Sequence, residues 1–170
     1  MADDLTAPSA PSPAEWRGAM GYFPTGVTVC TSWRGETPLG STINAFCSVS
    51  LDPPLLLICL AHANPLTEPV RGGAPLGVNI LPHENGQALA RHFALSPEDR
   101  RFEGLDWLAE PGGAPRLVCA PVFIDCQVEQ IHDAGDHLIV VGRGLTTTHA
   151  QGVTPLLYHR GAFPGPLADR

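Results

Sequence analysis

Val122-Phe123-Ile124-Asp125-Cys126-Gln127-Val128, then Asp133-Ala134-Gly135-Asp136, then His137-Leu138-Ile139-Val140-Val141 is the stretch that decides the fold class. Val122, Ile124, Cys126 and Val128 occupy every second position. A period of two puts them on one face of a strand that is buried on one side. Asp133 to Asp136 carries turn chemistry, and His137 to Val141 returns as a second strand. The pair reads as an antiparallel hairpin, so the last third of the chain is β.

The same short-strand signal recurs outward from this hairpin. Val27 to Ser32 is rich in β-branched residues and predicts a strand. Leu39 to Ile43, Leu76 to Leu81 and Leu156 to His159 predict shorter ones. Leu55 to Leu60 is uniformly apolar, which predicts a strand buried on both faces. Leu51-Asp52-Pro53-Pro54 interrupts the chain before it. Helix signals are few. Ser12, Pro13 and Glu15 form a capping box with Pro at the first helical position, predicting a helix to about Met20 that stops near Gly21. Asn64-Pro65 predicts a second, short helix ending at Gly72-Gly73. Glu84 to Phe93 predicts a third, with Leu89 and Phe93 four apart on one face. Ser96-Pro97-Glu98-Asp99 starts one more helical turn. Sequential βαβ units are missing, so the expected fold is mainly β with short helices, a closed or partly closed antiparallel barrel. Residues 1–11 are expected as a disordered tail and 12–170 as a single domain.

Composition narrows the function class. With 44% hydrophobic and 16% charged residues, the chain is too apolar for disorder. Its net charge is −7, and its ten basic residues are all Arg and scattered. That argues against nucleic acid and anionic membranes as partners. No apolar run approaches the ~20 residues of a membrane span. Cys30, Cys47, Cys59, Cys119 and Cys126 are odd in number and form no C-x-x-C, which argues against a disulfide framework or a zinc site. The start, Met1-Ala2-Asp3-Asp4, is not that of a signal peptide. A cytoplasmic protein is expected, with no metal site.

Four segments carry candidate chemistry. Gly40 to Ser50 supplies neutral donors and acceptors close to the backbone, the lining that a heteroaromatic ring with carbonyl and N–H edges needs; a Ser/Thr-rich turn has the same composition. Asn64-Pro65-Leu66-Thr67 offers a helix start for a phosphate, or simple capping. Gly135-Asp136-His137 places a His at the head of a strand, facing a cleft or water. Tyr158 to Phe163 could cover a ring or plug the barrel end. No G-x-G-x-x-G follows a strand, so a dinucleotide would not be held in the Rossmann manner.

Taken in order, Phe23-Pro24-Thr25-Gly26-Val27-Thr28-Val29, Thr42-Ile43-Asn44-Ala45-Phe46-Cys47-Ser48-Val49-Ser50-Leu51-Asp52-Pro53-Pro54, Gly77-Val78-Asn79-Ile80-Leu81, Phe93-Ala94, Arg101-Phe102, Gly135-Asp136-His137 and Pro155-Leu156-Leu157-Tyr158 resemble the flavin reductase-like family of FMN-binding split barrels. The match runs from about residue 15 to 163. The resemblance implies an antiparallel Greek-key split β-barrel that forms a homodimer, with flavin near the dimer interface. It implies reduction of FAD or FMN by NADH or NADPH, and release of the flavin to a separate flavin-dependent oxygenase by diffusion. FAD is the expected flavin; NADH is the expected donor, since no Arg cluster marks a 2′-phosphate site.

By the same resemblance, Ser41, Thr42, Asn44 and Ala45 lie along the isoalloxazine, followed by Ser48 and Ser50. Thr67, with Asn64 before it, meets the phosphate. His137 stands beside the nicotinamide as the catalytic residue. Thr25, Cys59, Phe93, Tyr158 and Phe163 complete the implied flavin site. The family's phosphate turn often reads Ser-x-Thr, and this chain departs from it with Asn64-Pro65-Leu66-Thr67. Two other readings stay open on residues alone: a tight flavin-binding electron carrier of the same fold, and a binding module for another ring compound such as haem.

Overall fold

The computed structural model describes residues 9–166. The tail expected over 1–11 falls, for residues 1–8, outside the described residues; Ser9 to Pro11 are exposed and lack regular structure. Among the described residues there are eleven strands: β1 Thr25–Gly26, β2 Thr28–Arg34, β3 Thr37–Ile43, β4 Phe46–Leu51, β5 Pro54–Ala61, β6 Leu76–Ile80, β7 Trp107–Leu108, β8 Arg116–Leu117, β9 Val122–Ala134, β10 His137–His149 and β11 Leu157–Tyr158. Three α-helices accompany them: α1 Pro13–Met20, α2 Thr67–Arg71 and α3 His83–Leu95.

Seven strands form one sheet in the order β3-β2-β6-β9-β10-β5-β4, with every pairing antiparallel. Its two edges, β3 and β4, are consecutive in the chain and are joined by Asn44-Ala45 alone. Laid flat, the edges of seven strands would stand about 29 Å apart. A two-residue link from Ile43 to Phe46 reaches at most about 11 Å. The sheet therefore curls on itself, and Asn44-Ala45 marks the seam of a split barrel. The expected barrel is borne out.

Two cores lie on either side of the barrel wall. Inside are Cys30, Leu39, Ile43, Leu56, Ile58, Leu60, Leu76, Val78, Leu138 and Val140, plugged at one end by Leu66 and Val70. Outside, α3 lays Leu89, Ala90 and Phe93 over Val27, Val29 and Leu81, with Leu117 and Leu156. Thr28 to Ser32 of β2 are thus buried on both faces. Burial among apolar neighbours pushes the thiols of Cys30 and Cys126 up to about 12, so both act as small hydrophobes.

Several expectations need correction. Leu55 to Leu60 is not buried on both faces. Leu56, Ile58 and Leu60 point inward, while Leu55, Leu57 and Cys59 are half-buried on the outer face, which no helix covers. The Gly40 to Ser50 segment, for which a Ser/Thr-rich turn was the alternative to a ring lining, instead ends strand β3 and runs through the edge strand β4, with a bulge between Ser48 and Ser50. The second helix starts at Thr67 rather than at Asn64-Pro65, and Leu66 at its head has no side-chain cap. Asn64 instead closes a turn, its Oδ1 accepting from the Leu66 N–H at 3.0 Å, and its Nδ2 donates to Ser41 Oγ at 3.0 Å. Helix α1 follows its sequence signal: Ser12 Oγ accepts from the Glu15 N–H at 3.3 Å, and Glu15 Oε2 accepts from the Ser12 N–H at 2.8 Å.

Gly40 sets the distance between β3 and α3. A Cβ there would overlap the Phe93 ring, with Cδ1 at 2.7 Å and Phe102 at 3.2 Å. Phe93 has no exposed surface and cannot swing away. Gly40→Ala is expected to cost about 1–3 kcal/mol of stability, read as a lower denaturant midpoint. An unchanged midpoint would show that α3 can move off the barrel freely.

Candidate functional site

The seam opens into a cleft of about 370 Å³, at the small end of the ~300–1,000 Å³ range of ligand sites. Its floor is Thr42 and Asn44 with Val27; one wall is Ala90, Arg91, Ala94 and Leu95 of α3; the other is Tyr158, Gly161 and Phe163. Thr42 Oγ1 donates to the Ala90 carbonyl at 2.7 Å, fixing α3 against β3. Asn44 is exposed, and its Nδ2 donates to Thr25 Oγ1 at 3.4 Å. The Ala45 carbonyl accepts from the Cys59 N–H at 3.0 Å, while the Ala45 N–H has no acceptor among the described residues. Tyr158 and Phe163 meet edge-on at 5.4 Å. Pairing of β11 with β1, Thr25 opposite Tyr158, anchors that wall.

The structure therefore brings together five of the residues implied by the resemblance, Thr25, Thr42, Asn44, Tyr158 and Phe163, with Ala45 beside them. Others lie elsewhere. Phe93 is fully buried beneath the cleft, edge-on to Phe102 at 5.3 Å, and supports the wall without reaching a ligand. Ser41 is 8% exposed and faces Asn64. Thr67 is 3% exposed, and its hydroxyl donates to the Ala61 carbonyl at 3.1 Å. Its helix has only five residues, so the phosphate role expected of it has no open donor to rest on. Ser48 and Ser50 line a separate, mostly apolar cleft at the barrel end with Leu51, Leu145 and Thr146. Cys59 stands on the outer face of β5, where partial burial pushes its thiol up.

His137 lies apart from the cleft, at the head of β10 opposite Ala61 of β5. Its Nδ1 sits 2.7 Å from Asp136 Oδ1. That hydrogen bond, with the charge of the imidazole, holds the Asp136 carboxyl below the usual carboxylate range. Around it, His62 Nε2 lies 3.2 Å from the Gly135 carbonyl and Arg71 pairs with Asp133 at 3.0 Å. Ala90, Arg91 and Leu95 were not singled out from sequence, and Ala94 only as part of the Phe93-Ala94 motif. Their spacing on one side of α3 was the signal available in the sequence.

Residues 20–166 match the flavin reductase like domain. This chain belongs to that family. It is 33% identical over 168 residues to the flavin-dependent monooxygenase reductase subunit HsaB of Rhodococcus jostii, covering 99% of this chain and 85% of that protein. It is 35% identical over 161 residues to the FMN reductase (NADH) SmoA of Agrobacterium fabrum, covering 95% and 90%. A solved structure of the NADH:FAD oxidoreductase SgcE6 of Streptomyces globisporus, in complex with NAD and FAD fragments, superposes with a TM-score of 0.82 at 35% identity, over 89% of this chain and 91% of that one.

The cleft of this flavin reductase-like protein fits a flavin ring by the chemistry of its donor set. The Ala45 N–H, the Asn44 carboxamide and the Thr25 hydroxyl are neutral groups suited to carbonyl and ring-nitrogen edges, and the walls are apolar or aromatic apart from Arg91. A neutral hydrogen bond contributes about 0.5–1.5 kcal/mol. Asn44→Ala is therefore expected to weaken riboflavin, FMN and FAD alike, about 2- to 10-fold, in fluorescence titrations. Loss confined to the phosphorylated flavins would move Asn44 away from the ring.

Proposed function

We propose that the protein is an NADH-dependent flavin reductase that reduces FAD or FMN and releases it to a partner flavin-dependent oxygenase. The observation that carries this reading is the seam cleft, which offers a ring neutral hydrogen-bonding groups along one edge and apolar walls on two sides. The flavin ring supplies the hydride-accepting chemistry when bound. The chain supplies position. The Thr42 to Ala90 bond sets the width between floor and wall, Asn44 and Ala45 orient the ring edge, and Tyr158, Phe163 and Leu95 keep water away from its faces. No carboxylate or His lines the cleft. Hydride transfer needs close approach more than a strong acid or base, so this lining suits it.

His137 takes the nicotinamide side in this reading, its ring held by Asp136. It stands off the cleft within one chain, and a homodimer would allow approach from a second copy. The exposed apolar side chains Trp16, Met20, Tyr22 and Phe23 on and just after α1, and Leu51 and Leu145 at the barrel end, support such an assembly, because exposed apolar surface favours a covering partner. Helix α1 buries none of its residues within the chain. No helix among the described residues is long and apolar enough to cross a membrane, and the reading places the reaction in the cytoplasm.

The protein is expected to oxidise NADH only after FAD or FMN is added, at a rate that a chelator leaves unchanged. A preparation that keeps bound flavin and does not oxidise NADH in its presence would identify an electron carrier instead. His137→Ala is expected to raise the NADH KM, lower kcat, or both, with flavin affinity measured without NADH unchanged. Wild-type kcat/KM in that variant would make His137 a solvated turn residue.

A further inference from the structure

We propose that Arg160 is a positioning residue for the flavin: clamped on Tyr22, it sets where the Tyr158–Phe163 wall of the seam cleft stands, and so how tightly the ring is held. This role rests on the flavin reading of the cleft and deepens it.

His159 and Ala162 face each other in an antiparallel bridge. The His159 N–H donates to the Ala162 carbonyl at 2.9 Å, and the Ala162 N–H to the His159 carbonyl at 3.0 Å. Arg160 and Gly161 form the two-residue turn between them, with φ of 49° and 81°. Positive φ at both central residues is the type I′ turn, whose first position is usually Asn, Asp or Gly. Among the described residues, Arg160 alone of the non-glycines has a positive φ. A side chain there costs free energy that glycine would not. Strain of this kind persists only where the surroundings hold it, and it gathers at ligand clamps. Here the turn stands at a cleft: Gly161 lines it, with Tyr158 before the turn and Phe163 after it.

Two contacts hold the turn, and Arg160 makes both. Its N–H donates to the Gly21 carbonyl at 3.1 Å, and its guanidinium carbon lies 4.5 Å from the centre of the Tyr22 ring. Among the described residues, no other backbone hydrogen bond ties residues 159–163 to another segment. The two backbones approach closely, since a Cβ on Gly21 would lie 3.6 Å from the Arg160 Cα. The backbone bond is open to any residue but proline, whereas the contact with the Tyr22 face needs a cation. Glycine would make the turn and the backbone bond without strain. It would lose the contact that fixes the rotation of the turn about that bond. Tyr158 and Phe163, edge-on at 5.4 Å, would shift with the turn, and these two rings are the wall against which a flavin packs.

The test is a fluorescence-quenching titration of riboflavin, FMN and FAD, without NADH, beside the denaturant midpoint of each protein. It uses the full chain, Arg160→Gly, Arg160→Lys, Tyr22→Leu, Tyr22→Phe and the double variant Arg160→Gly/Tyr22→Leu. Loss of an exposed cation–π contact corresponds to about 2- to 5-fold. Arg160→Gly and Tyr22→Leu are each expected to weaken all three flavins by that factor, and the double variant no further, because the two side chains make one contact. Tyr22→Phe and Arg160→Lys keep the ring and the charge and should bind as the wild type does. The midpoint of Arg160→Gly is expected to stay at the wild-type value, since relief of the positive-φ strain offsets the lost contact. Flavin affinity retained in Arg160→Gly, or losses that add in the double variant, overturn the proposal. A midpoint that falls together with affinity also overturns it and makes Arg160 a staple of the fold. A loss confined to FMN and FAD overturns it as well, because the wall acts on the ring that riboflavin shares. Wild-type protein that binds none of the three overturns the flavin reading, and the proposal with it.

Discussion

The two-residue link Asn44-Ala45 is the constraint on which the rest of the structure depends. It joins strands at opposite edges of a seven-stranded sheet, and covalent reach alone forbids that sheet from lying flat. Curling places Leu56, Ile58, Leu60, Leu138 and Val140 inside. It also leaves the link outside any ladder. A backbone donor that a sheet would pair, the Ala45 N–H, has no acceptor there among the described residues, and the Asn44 carboxamide is exposed beside it. The place where the barrel fails to zip is the place where it can hydrogen-bond something else.

Two elements far apart in sequence turn that seam into a cleft. Helix α3 is drawn onto the outside of the barrel by Leu89, Ala90 and Phe93 and pinned by Thr42; Gly40 lets the two approach. The C-terminal segment forms the facing wall. It is tied to the turn after α1 by the Arg160 N–H donating to the Gly21 carbonyl at 3.1 Å and by the Arg160 guanidinium 4.5 Å over the Tyr22 ring. Arg160 has a φ of 49°, left-handed backbone that an Arg adopts at some cost. The wall is therefore held from both ends of the chain, so Thr25 and Tyr158, 133 positions apart, share one register.

Charge is distributed to the same end. The exposed pairs Arg71 with Asp133 and Arg143 with Glu129 contribute little to stability. They leave the positive ends of those side chains occupied. In an acidic chain without lysine, neutral ring recognition falls to backbone and amide groups.

Helix α1 could be read from sequence to its last residue because its start depends on Ser12 and Glu15, three positions apart. The hairpin of β9 and β10 was legible for a similar reason: an alternating pattern and the turn at Gly135, whose φ is 65°, are local. Thr42, Asn44, Tyr158 and Phe163 were reachable only through the family resemblance in their order of motifs, and they do meet. The start of α2 was misplaced because Asn64 spends its side chain on Ser41, 23 residues away. Phe93 and Thr67 carried the right chemistry in the wrong exposure. Period, capping and turn chemistry, set by bonds between near neighbours, were determined by the sequence itself; the curl of the sheet was not, since it follows from β3 and β4 being opposite edges, which only long-range pairing decides. Which polar groups stay open was decided only in three dimensions, by contacts such as Thr42 with Ala90 and Thr67 with Ala61. A donor is free or taken according to what the folded chain brings within 3 Å of it, and no local pattern records that.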